Sequence, residues 1–358
     1  MKTISFRALL WVSVVLLLAT GCSRDARRAK YLKQAEAHFQ AGDYDRAEIE
    51  YLNVLRFDQT NAVALRNLGL MSFEQGRIAR AYALLSEARK VSPEDFEVRL
   101  RLAQVLLSGG KPKEARDEAV LLLARQPTNE NTLLLLVESS LSTNDLKDAQ
   151  QRLDSLQPVS GQVAGYHVAR ATLQLRQREP KAAEASVRQA LALDPKSCLA
   201  HGAMGNLHVL NHDPTNALAE FKAAADLAPP RSIHRLRYVD FQVAMGELEA
   251  AKELINQMAK QTPDYLPALM RVAQIALAER RYPDCDHVIR FVLARDPAHL
   301  EAMLLLARLH LAQNQPDQAV TALERALKVF PRLPQIHYQL ATANLMQNDL
   351  AGASKSLN

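Results

Sequence analysis

The sequence predicts an all-α protein, a solenoid of about ten 34-residue helix–turn–helix units. Three observations predict it. The stretch Ala62–Asp95 reads as two amphipathic helices joined at Gln75-Gly76-Arg77 and stopped at Ser92-Pro93. The same pattern returns every 34 residues from Arg28 onward without a frame shift. Aromatic residues make up only 5% of the 358-residue chain and glycine only 12 positions, while Ala and Leu dominate, a composition that favours helix. No stretch alternates apolar and polar residues long enough to read as a strand.

The chain opens with a basic start (Lys2, Arg7), an apolar run over Ala8–Ala19, and then Thr20-Gly21-Cys22. That is the layout of a secretory signal. The run is shorter than the roughly 20 residues a membrane span needs. Leu18-Ala19-Thr20-Gly21-Cys22 resembles a bacterial lipobox, with Ala19 in place of the usual Leu. The resemblance implies lipidation of Cys22 and cleavage before it. Residues 1–21 are then a signal peptide, 22–27 a lipidated tether and 28–358 the repeats. Each buried CH₂ of an acyl chain contributes about 0.8 kcal/mol, and more than one chain anchors stably. Ser23 follows the cysteine where inner-membrane retention would call for Asp. By that resemblance the expected location is the bacterial cell envelope, at the outer membrane facing the periplasm. Arg24, Arg27, Arg28, Lys30 and Lys33 then read as a solvated start to the first helix. They also suit anionic headgroups beside an anchor.

Within Ala62–Asp95, Leu65, Leu68, Gly69 and Ser72 lie on one helix face, and Ala81, Leu85 and Ala88 on a face of the next. Gly76 suits the positive φ that ends a helix. Pro93 cannot donate a backbone hydrogen bond and turns Ser92 away from helical geometry. Counting units from Arg28, the twentieth residue is Ala in nine of ten units, with Cys285 as the exception. The eighth is small or β-branched throughout, from Ala35 and Gly69 to Ala341. The stop proline recurs from Pro93 to Pro331, broken only at Gln59 and Gly161. The fourth unit ends loosely over Leu156–Gly161, and a hinge is expected there. The chain stops at Leu357-Asn358 inside a second helix. Such an end implies either a neighbour that covers it or a piece of a longer chain, and the second is the expectation.

These columns, and GDYDRAEIEYLNVL over Gly42–Leu55, resemble the tetratricopeptide-repeat family, whose unit is a 34-residue helix–turn–helix. The family's early Trp is replaced here by residues such as Leu65, His201 and His337. The resemblance implies a right-handed superhelix whose concave face is lined by the first helix of each unit. Carried over, the twelfth residues from Phe39 and Phe73 through Leu277 to Leu345 form an apolar strip. Arg66, Arg101, Arg237, Arg271 and Arg308 edge it, with Asn206 and Tyr338. The Lys/Asn clamp that some relatives use for a terminal carboxylate is absent at matching positions.

The remaining signals point away from chemistry. His208 and His212 stand at metal-sharing spacing, but His201 and His208 fall in packing columns and His212 at the turn. Ser139-Ser140 and Ser142-Thr143 have no base within reach of a pattern. No glycine-rich phosphate loop and no metal-type cysteine cluster is present. Neither an enzyme nor a cofactor is expected. The net charge of +5, about +3 without Lys2 and Arg7, argues against nucleic acid. Cys198 and Cys285 lie more than two units apart. In a fold where each unit touches its neighbours they fall outside the roughly 7 Å a disulfide needs.

The expected function is a non-catalytic scaffold that binds a protein through its groove, with Cys22 as the membrane link. Within that class the chain resembles repeat lipoproteins that accompany exopolysaccharide export or surface-protein sorting, and pilotins form a second subtype. The alternative is a periplasmic receptor for glycan or cell-wall peptide. It calls for exposed aromatics, of which the mature chain has few.

Overall fold

The computed structural model describes residues 24–357, so the predicted signal peptide and Cys22 lie outside the described residues. Twenty helices and no strand make up the described residues. They run as antiparallel pairs, one pair per unit: α1 (residues 24–40) and α2 (Tyr44–Phe57), α3 (Ala62–Glu74) and α4 (Ile78–Val91), α5 (Phe96–Ser108) and α6 (Pro112–Arg125), α7 (Glu130–Glu138) and α8 (Thr143–Ser160), α9 (Ala164–Arg176) and α10 (Pro180–Leu193). Then come α11 (Cys198–Leu210) and α12 (Pro214–Leu227), α13 (Ile233–Ala244) and α14 (Leu248–Gln261), α15 (Leu266–Ala278) and α16 (Tyr282–Arg295), α17 (Leu300–Ala312) and α18 (Pro316–Val329), α19 (Pro334–Met346) and α20 (Leu350–Leu357). This is the all-α repeat solenoid expected from the period.

Outside the fourth unit, the turn between the paired helices has one chemical form. At His212 the amide donates to the Val209 carbonyl at 3.1 Å, and the Asp213 amide to His208 at 2.8 Å. That pair of bonds closes the helix in a Schellman motif, which demands one left-handed residue. Positive φ accordingly recurs at Gly42, Gly76, Gly110, Arg178, His212, Gly246, Arg280, Asn314 and Asn348, a 34-residue column. Proline stands at the start of the second helix in α6, α10, α12 and α18, where its missing N–H has no helical partner to lose.

The small-residue columns sit where helices touch. Ala47 to Ala319 of the twentieth column, Cys285 included, are wholly buried, and Ala353 is nearly so. In the eighth column a Cβ on Gly69 would meet Leu85 at 2.7 Å, and one on Gly205 would meet Phe221 at 2.6 Å.

The fourth unit departs from register. Helix α7 stops at Glu138, four residues short, and no positive-φ residue follows it. Ser139 and Ser140 turn their hydroxyls back onto the carbonyls of Leu135 and Leu136, each at 2.7 Å, a local bond that competes with helix continuation. Ser142 then caps α8 in a reciprocal box with Asp145. The serines that lacked a catalytic base are therefore helix ends. The loose end expected at Leu156–Gly161 is corrected: α8 runs through Pro158 to Ser160, whose hydroxyl bonds the Pro127 carbonyl at 2.8 Å.

The described chain forms two compact units: residues up to Ser72 with Ala81–Leu102, and Phe73–Arg80 with Ala103 onward. The first packs Ala35, Ala47, Tyr51, Val54, Ala64, Leu68 and Met71 into one core, with the Asn67 amide on the Tyr51 hydroxyl at 2.6 Å. The second repeats a core layer at each helix pair. Inside the second unit the turn Gln75-Gly76-Arg77 meets a segment far along the chain. The Leu266 amide donates to the Gln75 carbonyl at 3.0 Å, and the Gln75 side chain donates to Asp264 at 3.2 Å. Contact therefore reaches beyond sequence neighbours, against the premise used for the cysteines. Cys198 and Cys285 are nonetheless free thiols.

Candidate partner-binding groove

In the second unit the inner helices α11, α13, α15, α17 and α19 lie side by side and leave three connected hollows. The first, about 710 Å³, is walled by Asn206, Val209, Ile233, Arg237 and Asp240, among others. The second, about 160 Å³, shares Asp240 and adds Val243, Arg271 and Gln274. The third, about 830 Å³, shares Gln274 and adds Leu304, Arg308, Leu311, Tyr338 and Gln339. The shared residues make one groove across five helix pairs. Its walls carry Ile233, two-thirds exposed, and Tyr338 at 69% exposure.

Five predicted groove residues meet here: Asn206, Arg237, Arg271, Arg308 and Tyr338. The others do not. Phe39 and Arg66 line a hollow of about 460 Å³ in the first unit. Arg66 is held there by Asp95 at 3.0 Å and the side-chain Oδ1 of Asn67 at 2.9 Å. Arg101 pairs with Glu97 one turn away at 2.8 Å. Phe73 belongs to the Phe73–Arg80 segment of the second unit and is half-buried. Leu277 is half-buried, packs against the core cluster that includes Met270, Ile289 and Leu305, and is not among the residues that wall the three hollows. Leu141 of the same column falls between α7 and α8.

The arginines that edge the strip differ in their surroundings. Arg271 donates to Asp240 at 2.8 Å on one side and to Glu301 at 2.8 Å on the other, and Gln274 adds a bond to Glu301 at 2.7 Å. Arg237 lies over the Phe221 ring at 5.5 Å and has no acidic partner among the described residues. Arg308 is exposed and likewise lacks one. Sequence reasoning missed Asp240, Gln274 and Glu301. A signal existed: Asn206, Asp240, Gln274, Arg308 and Thr342 are the ninth residues of successive units, one polar side chain per inner helix.

The histidines resolve as packing and surface groups. His201 bonds Glu220 at 2.6 Å and the Pro195 carbonyl at 3.0 Å, and His208 faces Asp213 at 3.3 Å. Among the described residues no group of three or more His, Cys, Asp or Glu is placed to hold a metal, and no helix is long and apolar enough to cross a membrane. Burial pushes the Cys285 thiol up to about 11, so it is a poor nucleophile at neutral pH.

Two family models described as tetratricopeptide repeat match the chain, one over residues 32–88, 168–232 and 304–357, the other over 72–122 and 208–275. A Homo sapiens protein named Protein O-mannosyl-transferase TMTC3 is 19% identical over 339 residues, covering 87% of this chain and 36% of its own. A Gallus gallus protein named DnaJ homolog subfamily C member 3 is 21% identical over 274 residues, covering 75% of this chain and 50% of its own. The chain thus spans a half or less of the length of the curated relatives it matches. Among solved structures, the APC/C hetero-tetramer Cut9-Hcn1 is similar with a TM-score of 0.52 at 14% identity, covering 92% of this chain and 72% of that one. That likeness bears on the fold alone.

Proposed function

The chain belongs to the tetratricopeptide-repeat family, and from that premise we propose that it is a non-catalytic scaffold which docks a protein partner in the groove of its second unit. One observation carries the reading. Five successive inner helices present a continuous hollow with exposed apolar walls and polar side chains at unit spacing, and a groove of that kind suits a segment of another protein.

The location belongs to the same proposal. The lipobox-like Leu18–Cys22 supports a lipid anchor at the cell envelope, with the outer membrane as the membrane of residence. An anchor confines the groove to a surface and raises the effective concentration of anything held there. Export of exopolysaccharide, or another secretion machinery, is the setting we favour.

A photoreactive residue placed at Val243 and at Leu311 in cells, with a convex control at Arg290, tests the docking. The same protein adducts at both groove sites, absent from the control, are expected. Glycan or peptidoglycan adducts without protein would replace the scaffold by a receptor. Metabolic labelling with a fatty acid, lost in Cys22→Ala, tests the anchor separately.

A further inference from the structure

We propose that the groove of the second unit takes an extended acidic segment of the partner, with its carboxylates on Arg237 and Arg308 and apolar residues between them. This rests on the scaffold reading and names the chemistry of what the scaffold holds.

The charges divide by function. Asp240, Arg271 and Glu301 satisfy one another through short hydrogen bonds across three inner helices. They hold the middle of the groove in register and leave little for a ligand. Arg237 and Arg308 stand on either side of this triad, on α13 and α17, each without an acidic partner among the described residues. The free cationic donors are therefore the ends of the site. The triad carries one more acid than base, so a carboxylate over it would be repelled, and Val243 and Leu304 beside it favour an apolar middle. A segment with acid, apolar stretch and acid matches that order.

Spacing selects the extended form. Neighbouring helices pack at about 10 Å, so α13 and α17, two inner helices apart, are separated by roughly 20 Å. An extended chain covers that in about six residues at 3.3 Å each, whereas a helix needs about thirteen at 1.5 Å each. The groove also offers an amide that an extended backbone can use. Asn206, on the groove wall, has no side-chain hydrogen bond among the described residues. A helix keeps its own backbone groups satisfied and has none to give it.

The test is selection of a displayed random 16-residue peptide library on the full chain at low salt, followed by fluorescence anisotropy with the enriched sequences. Pairs of Asp or Glu about six positions apart, flanking Leu, Ile or Phe, are expected. The double variant Arg237→Glu/Arg308→Glu should raise Kd about tenfold or more, and the same peptide with Lys at the two acidic positions should recover binding to that variant. Arg290→Glu, on α16 and outside the groove, should bind as the parent does. The charge-swapped peptide shows that the double variant is folded. Acid pairs near thirteen apart, enrichment of neutral or basic segments, no enrichment, or indifference to the reversal would each overturn the proposal. Groove adducts in cells whose crosslinked segments lack paired acids would overturn it while leaving the scaffold standing. Absence of groove adducts would remove both.

Discussion

Arg176 Nη1 donates to the carbonyl of Ser140 at 2.7 Å, across 36 residues of sequence. The same guanidinium reaches the carbonyls of Val137 at 2.9 Å and Glu138 at 3.2 Å. Val137 and Glu138 end α7, the inner helix that stops early, and Ser140 lies in the turn just after it. A helix end leaves its last carbonyls without intrahelical donors, and a cation there also suits the helix dipole. The next unit thus supplies the cap that the serine-rich turn does not.

The first prediction follows from that cap. Arg176→Ala should destabilise the chain by about 1–3 kcal/mol, the range for charged hydrogen bonds whose partners stay half-buried. Arg176→Lys should recover only part, because a point cation lacks the planar fork that meets several carbonyls. Burial raises the Glu138 carboxyl above the usual carboxylate range, and Arg176 pulls it back. Its pKa should therefore rise further in Arg176→Ala. Urea unfolding and carboxyl titration by NMR check the two effects, and an unchanged stability would show that water serves these carbonyls equally well.

Acid should weaken the chain through two histidines. Burial, and for His234 also Arg237, lowers the pKa of His234; burial lowers that of His299. His299 Nδ1 in addition accepts the Ala302 amide at 3.2 Å and caps α17. The unfolded chain binds protons on these rings near pH 6.5 while the folded chain does not. Stability is then fully present above that pH and falls as pH drops from about 7 towards the lowered folded values. His299→Asn keeps a cap acceptor and removes one titration. The slope of stability between pH 7 and 5 should shrink in this variant, as measured by thermal unfolding across that range.

The turn column offers stabilising changes. Arg178 and Arg280 hold φ of 66° and 59°, the left-handed region that costs a side chain roughly 1–2 kcal/mol. Glycine removes that strain but adds freedom to the unfolded chain. Arg178→Gly and Arg280→Gly should each stabilise by about 0.5–1 kcal/mol, and Asn314→Gly by less, since Asn tolerates this region. Melting temperatures of the single variants are the readout. A fall at both arginines would mean that their side chains matter more than the backbone strain.

The period carried most of the fold because packing between neighbouring units constrains the same positions each time. Ala47, Ala81 and Ala217 are small since a second helix lies against them, and that demand is visible at intervals of 34. The fourth unit was hidden because its departure depends on which of two caps wins. Ser142 caps α8 with Asp145, and Asn144, the position of the turn column, does not take the left-handed conformation. The groove was half legible. Its exposed walls followed the carried-over columns, but pairings such as Arg271 with Asp240 and Glu301 join residues about thirty positions apart. No local pattern announces them. The twelfth column is apolar whether its residue walls a hollow, as Val243 does, or packs half-buried against the core, as Leu277 does.

A last prediction separates two glycines that the sequence treats alike. Gly76 and Gly110 occupy the same turn position with φ of 77° and 74°. A Cβ at Gly110 meets nothing within 4 Å, whereas one at Gly76 would lie 2.6 Å from the Pro267 ring. Gly110→Ala should cost about 1 kcal/mol, the strain of a left-handed alanine. Gly76→Ala should cost that and about 1–3 kcal/mol more, because the proline ring cannot swing away. It should also loosen the bond from the Leu266 amide to the Gln75 carbonyl. Hydrogen exchange at Leu266 would report that loss directly. Equal costs at the two sites, with Leu266 still protected in Gly76→Ala, would mean that the turn at Gln75–Arg77 does not rest on Pro267 in solution.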